Sequence, residues 1–490
     1  MSAPPAPPPG ASLESTCRHL YLELDRAVDS AGVRDAQAAR IEGFPYLRVN
    51  RFLASFRGEL HQRDAFFAWL EQLRKTGREA RRVEVANLPK PERLRLKALA
   101  PPAATLDEAL SQCAVHLQRV DFTTPEARSG LLDQAKVADA YQAYKRWLGI
   151  YPVTALAVRL GISRWHERVR KQYAHPLPYS GPVTRYAPRL LPAAAPVTTP
   201  DPPHARHPAQ PLGTADWDDE ALNRLLARHA PLIEVQTASD ADHIGAPRWQ
   251  ADGTLRIDIN DPSVYTLTSH TRFEGTTLLQ LVYVFWFPER PRESWADILA
   301  GPLDGIVWRV TLDTDGTPLL YDAIHPCGCY HMFFPSPRLT ARTEQNKLYQ
   351  EPPLIPAPAP VLKPGQRIAL TLNTGHHQIV GISATAPTPS SKPYVLRDYH
   401  QLRSLALPGG GRRSMFDPHG LVPGSERGER WILWPMGIRS PGAMRQWGQQ
   451  ATAFIGRRHF DDPFLIGRYF SATDSRSAPH AAQEAHPDAD

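Results

Sequence analysis

The heptapeptide HPCGCYH, His325 to His331, holds two of the four cysteines of this 490-residue chain, each with a histidine two residues outward. Thiolate and imidazole are the ligands zinc prefers, and they also suit copper or iron. In an extended segment His325, Cys327, Cys329 and His331 would alternate onto one face. Pro326 and Gly328 argue against a regular central strand, so a turn at a sheet edge is the expected setting. Either geometry can converge ligands on one point. The spacing departs from structural zinc sites, which place two or more residues between paired cysteines. Two other readings therefore stay open. A Cys327–Cys329 disulfide would close a small, strained ring of the reducible kind, or the cluster serves packing or a partner contact.

Two more stretches offer groups to complete such a site. NTGHHQIV places His376 and His377 beside a tight turn, and at most one of two adjacent strand residues points inward. HTRFEG places His270, Arg272 and Glu274 on one face of a strand. A histidine and a glutamate two steps apart can supply a ligand and a general base. The expected site is thus a metal centre, zinc first, with ligands His325, Cys327, Cys329, His331, His377 and His270 and with Glu274 as catalytic base. Ordinary alternatives are a solvated histidine at a turn and an ion pair between Glu274 and a nearby arginine. The other two cysteines, Cys17 and Cys113, fall on apolar helix stripes and are expected to be free, buried and inert. Four cysteines in 490 residues argue against a disulfide scaffold. No G-x-S-x-G elbow, P-loop, H-E-x-x-H or G-x-G-x-x-G occurs. PGGGRRSMFDPHG (408–420) is glycine-rich and basic, but without strand–loop–helix framing it reads as a loop.

The elements that must position these groups change character along the chain. From 12 to 174 the apolar period is helical: Leu13, Cys17, Leu20, Leu24 and Val28 form one stripe, and Phe66, Leu70 and Leu73 another. Thr105 and Glu108 make a T-x-x-E helix start, and Thr124-Pro125 opens a helix expected to run through Trp147. A further helix is expected over 153–173. Residues 175–212 are proline-rich and read as a linker or wrapping arm. After a short helix within 216–229 the period switches to two. Hairpins are expected at Asp315-Gly316 and Thr374-Gly375, and strands at 255–259, 430–435 and 464–470. The fold class is therefore α+β: a helical N-terminal domain, then a mainly antiparallel β domain over 213–472, sandwich or distorted barrel, with long Pro/Gly loops. The ends, 1–11 and 473–490, read as disordered tails.

Charge distinguishes the two parts. Between Cys17 and Ala174 there are 27 Lys/Arg against 18 Asp/Glu, a balance of +9, while the whole chain carries +6. A basic helical module favours an anionic protein or membrane surface, with a solvated surface as the ordinary alternative. No specific nucleic-acid motif is present. No run reaches the roughly 18 apolar residues of a membrane helix, and LLQLVYVFWF reads as a buried strand. The N-terminus shows no signal peptide, so the default compartment is cytoplasmic, or periplasmic if a leader has been removed.

GFPYLRVNRFLASF (43–56), VYVFWFPERP (282–291) and HPCGCYHMFF (325–334) together resemble an uncharacterised family of bacterial, mainly proteobacterial, proteins over most of 18–470. The resemblance implies no activity or cofactor. Some similar proteins begin with a lipoprotein-like or secretory leader, absent here, which turns the expected localisation toward the envelope. The leading functional expectation is a metal-binding protein, with a metal-dependent hydrolase as the activity such a centre suggests first. Its alternatives are a non-enzymatic envelope scaffold using the basic helices, and a thiol–disulfide switch at Cys327/Cys329.

Overall fold

The computed structural model describes residues 12–176, 178–189, 211–215, 217–342 and 348–473. The expected tail 1–11, most of the expected C-terminal tail and residues 190–210 of the expected linker lie outside the described residues. Helix α1 (Leu13–Ala31) starts where Ser12 accepts the Ser15 N–H and stops at Gly32 in the left-handed region. The short α2 (Arg51–Ala54), then α3 (Arg63–Asn87), α4 (Lys90–Leu99) and α5 (Leu106–Asp121) follow. Thr105 accepts from the Glu108 N–H, as the T-x-x-E start predicts. The apolar stripes of α1, α3 and α5 meet in one core around Leu20, Leu24, Trp69, Leu70 and Leu117. The same packing corrects one expectation. Cys17 and Cys113 are buried, but they are joined as a disulfide between α1 and α5. Each stripe read alone shows burial; only the facing of the two stripes brings the sulfurs together.

The helix opened by Thr124 is also shorter than its sequence suggests. It ends as α6 (Pro125–Gln134), and α7 (Ala143–Leu148) forms separately. Between them the chain turns to bury Tyr141, whose hydroxyl donates to the Ala453 carbonyl at 2.8 Å. Helix α8 (Tyr151–Ala174) leaves the helical core altogether. Its Trp165, Val169 and Tyr173 pack on the sheet, as does Leu226 of α9 (Asp219–His229).

Ten strands make one curled, mixed sheet, a half-barrel. They are β1 (Val183–Pro188), β2 (Leu232–Gln236), β3 (Ser263–Phe273), β4 (Thr276–Arg290), β5 (Gly301–Leu312), β6 (Pro318–Ile324), β7 (Met332–Pro335), β8 (Arg367–Leu372), β9 (Ile379–Thr385) and β10 (Lys392–Asp398). In space the order is β7-β6-β5-β4-β3-β10-β1-β2-β8-β9. Pairing is antiparallel except where β10 meets β3 and β1, and where β8 meets β2. Both expected hairpins form, β5–β6 around Asp315-Gly316 and β8–β9 around Thr374-Gly375. The proline-rich stretch is not wholly a linker, because β1 lies inside it and pairs in the middle of the sheet. Its proline, Pro188, closes the strand, where the missing N–H costs least.

Burial on both faces explains why β4 reads as an unbroken apolar run. Leu281, Tyr283, Phe285 and Phe287 face the core that holds α8 and α9. Val282, Val284 and Trp286 face a second core, closed by loop residues that include Met415, Met444, Trp447 and Phe460. Two expected strands are helical instead. Residues 430–435 form α10 (Arg430–Leu433) and a 3-10 turn, Trp434–Met436, ended by Gly437 at φ 84. Residues 465–469 form α11 (Leu465–Tyr469), whose Leu465, Ile466 and Tyr469 are buried at helical spacing. Short aromatic runs fit either period, and here local packing decides. No described helix is long and apolar enough to cross a membrane.

The disulfide closes 96 residues of chain. The double variant Cys17→Ser/Cys113→Ser should lose about 2–5 kcal/mol of stability, read by denaturant melts. An unchanged midpoint would contradict a role for the bond in holding α1 to α5.

Candidate functional site

The hairpin β5–β6 delivers the chain into residues 325–331, the connection to edge strand β7. This is the expected turn at a sheet edge. The His325 N–H donates to the Cys329 carbonyl at 3.0 Å, and the Gly328 N–H to the His325 carbonyl at 2.8 Å. Gly328 has φ +94, and a Cβ there would stand 2.2 Å from the Ala451 carbonyl oxygen. No other residue type fits that position. Tyr330 also lies in the left-handed region, at φ 60. The tight turn sends the two histidines and the two cysteines to different surroundings.

His325 turns inward. Its Nδ1 lies 3.0 Å from Asp304 Oδ1, and His377 Nδ1 lies 3.0 Å from the other oxygen, Asp304 Oδ2. His377 Nε2 is 3.3 Å from Asp242 Oδ1, off the line of a good hydrogen bond. Asp242 also accepts backbone N–H groups of Ala238 and Gly375 and the Thr374 hydroxyl. Phe287 stacks flat on the His377 ring at 3.9 Å. All four ionisable groups are buried.

Burial would raise Asp304, but His325, His377 and the Arg427 guanidinium 3.6 Å away hold it well below the usual carboxylate range. Asp242 is lowered too, with His377 and backbone N–H groups outweighing burial. Burial opposes the His377 imidazolium, yet the two carboxylates raise its pKa. His325 ends lowered, because burial outweighs Asp304. Two carboxylates therefore face the His377 ring and the Arg427 guanidinium, whose two positive charges balance theirs when His377 is protonated. A neutral His325 donates from Nδ1 to Asp304 and leaves Nε2 as a lone pair without a partner.

His331 joins a different group. Register places Arg309 of β5 opposite Asp322 of β6, and the guanidinium grips the carboxylate through two nitrogens. His331 Nε2 lies 3.0 Å from Asp322 Oδ2, while its Nδ1 has no partner. Burial brings His331 down to about 3 despite Asp322. Asp322 is lowered: burial pushes it up, and Arg309 more than reverses that.

Cys327 and Cys329 are unpaired and line a cavity of about 160 Å³ with Tyr330 and His331. That volume suits a ligand of a few heavy atoms, comparable to a cavity that holds benzene. Its wall also includes Glu351, Glu429 and Gly161 of α8. The Cys329 N–H donates to Cys327 Sγ at 3.4 Å. The Cys329 thiol is pushed far up, first by its hydrogen bond to Cys327 and then by burial. Arg445 donates through Nε to the Cys327 carbonyl at 3.1 Å, and its charge favours thiolate at Cys329. Glu351 is paired to Arg458 at 2.8 Å. Glu429 is 7% exposed, and its carboxyl has no hydrogen-bond partner among the described residues. Burial raises it against three arginines, Arg427, Arg290 and Arg445.

The six expected metal ligands are not gathered. Among the described residues no group of three or more His, Cys, Asp or Glu is placed to hold a metal ion. His325 and His377 share Asp304, His331 takes Asp322, and the cysteines face the cavity. A carboxylate behind an imidazole with its other nitrogen free is the arrangement of metal-binding histidines, but here the free nitrogens do not converge with the thiols. No step is therefore derived through zinc, copper or iron. His270 stacks on Phe52 of the helical region at 5.3 Å, drawn down to about 4 by burial. Glu274 is not a strand residue: with Gly275 it makes the two-residue β3–β4 turn, both at positive φ. Its Oε1 accepts from the Ala472 N–H. At about 3.3 Å per residue β4 runs roughly 35 Å from Thr276, beside this turn, to Phe287, which places Glu274 too far away to act as base for this site.

Sequence reasoning missed Asp242, Asp304, Asp322, Glu429 and Arg445. Three left a trace. Asp322 and Arg309 are charges inside otherwise apolar strands, which demands a buried partner, and they lie symmetrically about Asp315-Gly316. Ser239-x-x-Asp242 is a capping-box pattern, and the box is formed.

His377 gives this cluster a signed pH dependence. Its raised pKa means its contribution is full below its usual 6.5 and is lost as pH rises through the folded value. Asp242 and Asp304 contribute above their usual 3.8 and lose that as pH falls through their lowered folded values. His377→Gln should cost about 3–5 kcal/mol near pH 6, because it removes the one cation that both buried carboxylates share. It should also remove part of the decline in stability above pH 6.5. Parallel melts across the pH range measure both; identical pH slopes would contradict the assignment.

No protein-family model matches the sequence, and neither the curated proteins nor the solved structures supply a match.

Proposed function

We propose that the protein is a dithiol redox protein, exchanging thiols with a small disulfide substrate in the cavity beside Cys327 and Cys329. One observation carries this reading: two adjacent, unpaired thiols line a cavity together with a buried carboxyl, Glu429. The Cys17–Cys113 disulfide supports it from elsewhere in the chain, since such bonds persist in oxidising compartments. Adjacent thiols there are poised for exchange.

The exchange balances within the site. Cys327, as its thiolate, attacks one sulfur of a bound disulfide. The S–S bond breaks, and the leaving thiolate takes a proton from Glu429, whose carboxyl is raised by burial above the usual carboxylate range. Glu429, now ionised, accepts the Cys329 proton. Cys329 then attacks Cys327 Sγ, the second leaving thiolate takes the proton that Glu429 accepted, and the protein holds a Cys327–Cys329 disulfide. The substrate is reduced by two electrons and the dithiol oxidised by two. The new ring is small and strained, which makes it readily reducible. The Cys329 N–H donates to Cys327 Sγ, the sulfur that attacks.

Titration in glutathione buffers, read by alkylation and mass spectrometry, should show Cys327 and Cys329 interconverting together while Cys17–Cys113 stays closed. Cys327→Ser should abolish exchange, and Cys329→Ser should trap the mixed disulfide. Two thiols alkylated independently at every ratio would contradict the proposal. So would stoichiometric zinc, copper or iron in untagged protein that is lost in Cys327→Ser/Cys329→Ser. Gly161 offers a control, because a Cβ there meets nothing within 4 Å. Gly161→Ala should stabilise α8 by up to about 1 kcal/mol, and Gly161→Leu should fold normally yet slow alkylation of Cys327.

A further inference from the structure

We propose that the corner built from α7, the first half of α8 and the α10 segment docks on an anionic lipid surface. Its apolar side chains stand out from the protein. Trp147 is 81% exposed and Trp431 72%, with Leu148, Ile150 and Ile432 all above half. They form one corner because their elements meet at a common point. The Gln142 N–H donates to the Gly437 carbonyl at 2.7 Å, and Arg146 Nε donates to the Met436 carbonyl at 2.9 Å. Gly149 abuts Pro435 so closely that a Cβ would stand 2.4 Å from it.

Helix α8 extends the surface. Val153, Leu156 and Leu160 are exposed and spaced three and four apart, an outward stripe. Its buried side, Ala155 and Val169, already faces the protein, so the stripe serves nothing within the described fold.

Charge selects the occupant. From Ala143 to Ala174 the chain carries seven Lys/Arg against a single acid, Glu167, and the segment 430–439 adds Arg430 and Arg439 with no acid. Arg164, Arg168 and Arg170 are exposed. Tryptophan rings that are apolar in body and polar at the edge, flanked by cations, match the headgroup boundary of an anionic bilayer. A second copy of the chain is a poorer fit, because it would set these cations against one another. The surface also borders the cavity, since Leu160 belongs to it while the neighbouring Gly161 and Ile162 line the cavity. The docking proposal stands whether or not the dithiol reading does.

Co-sedimentation of the full chain with vesicles tests it. Binding is expected to phosphatidylcholine vesicles containing phosphatidylglycerol, with a blue-shifted tryptophan emission and weakening as salt rises. Phosphatidylcholine alone should bind poorly. Trp147→Ser/Trp431→Ser, at exposed positions, should keep the wild-type melt and lose binding about tenfold or more. No binding to the anionic vesicles, or equal binding by the double variant, would overturn the proposal. A wild-type dimer in light scattering that the double variant converts to monomer would overturn it in favour of self-association.

Discussion

Asp304 is the tie on which the rest of the site depends. It sits on β5, and one of its two oxygens reaches His325 on the loop beyond β6 while the other reaches His377 on the β8–β9 turn. Five strands separate β5 from β8 in the sheet order. The second contact therefore spans the open side of the curled sheet and fixes how far it curls. Asp242 then secures the same histidine to the turn before β3, so four separate stretches of chain converge on one buried cluster. A buried carboxylate is costly alone, and its partners hold it by charge and by hydrogen bonds together.

The consequence for chemistry is a division of labour within seven residues. His325 and His331 are drawn onto carboxylates and position the loop; Cys327 and Cys329 are left facing the cavity. Gly328, wedged against Ala451, lets the turn be tight enough for both. The loop is thus held from the sheet side by Asp304 and Asp322 and from the other by Arg445 and residues 451–454, a rigid mounting of the kind a reactive pair needs. The helical region is tied to the same body through Arg403, which grips Asp35 with two nitrogens.

Much of the architecture was legible because it follows periodicity. The stripes of α1, α3 and α5, the two hairpin turns and the doubly buried β4 all carry their period in the sequence. What failed was short or depended on contacts between distant segments. Residues 430–435 and 465–469 are too brief for period to choose between strand and helix. The strand Val183–Pro188 was hidden in proline-rich surroundings. The Cys17–Cys113 bond depends on which stripe faces which. The site shows the same limit. HPCGCYH was conspicuous, and its placement in a turn at a sheet edge followed from Pro326 and Gly328. Its grouping into one metal centre did not follow, because ligand type says nothing of the carboxylates that claim each imidazole. Glu274 was assigned to a strand face when Glu274-Gly275 is itself a turn.

The central claim is that Cys327 and Cys329 act as one two-electron unit. Intact-mass measurement after reaction of the untreated protein with bis(2-hydroxyethyl) disulfide addresses it directly. The account predicts a protein lighter by the two thiol hydrogens, with no reagent attached and the new bond mapped to 327–329. A protein that keeps one or two reagent adducts, or does not react, would contradict it.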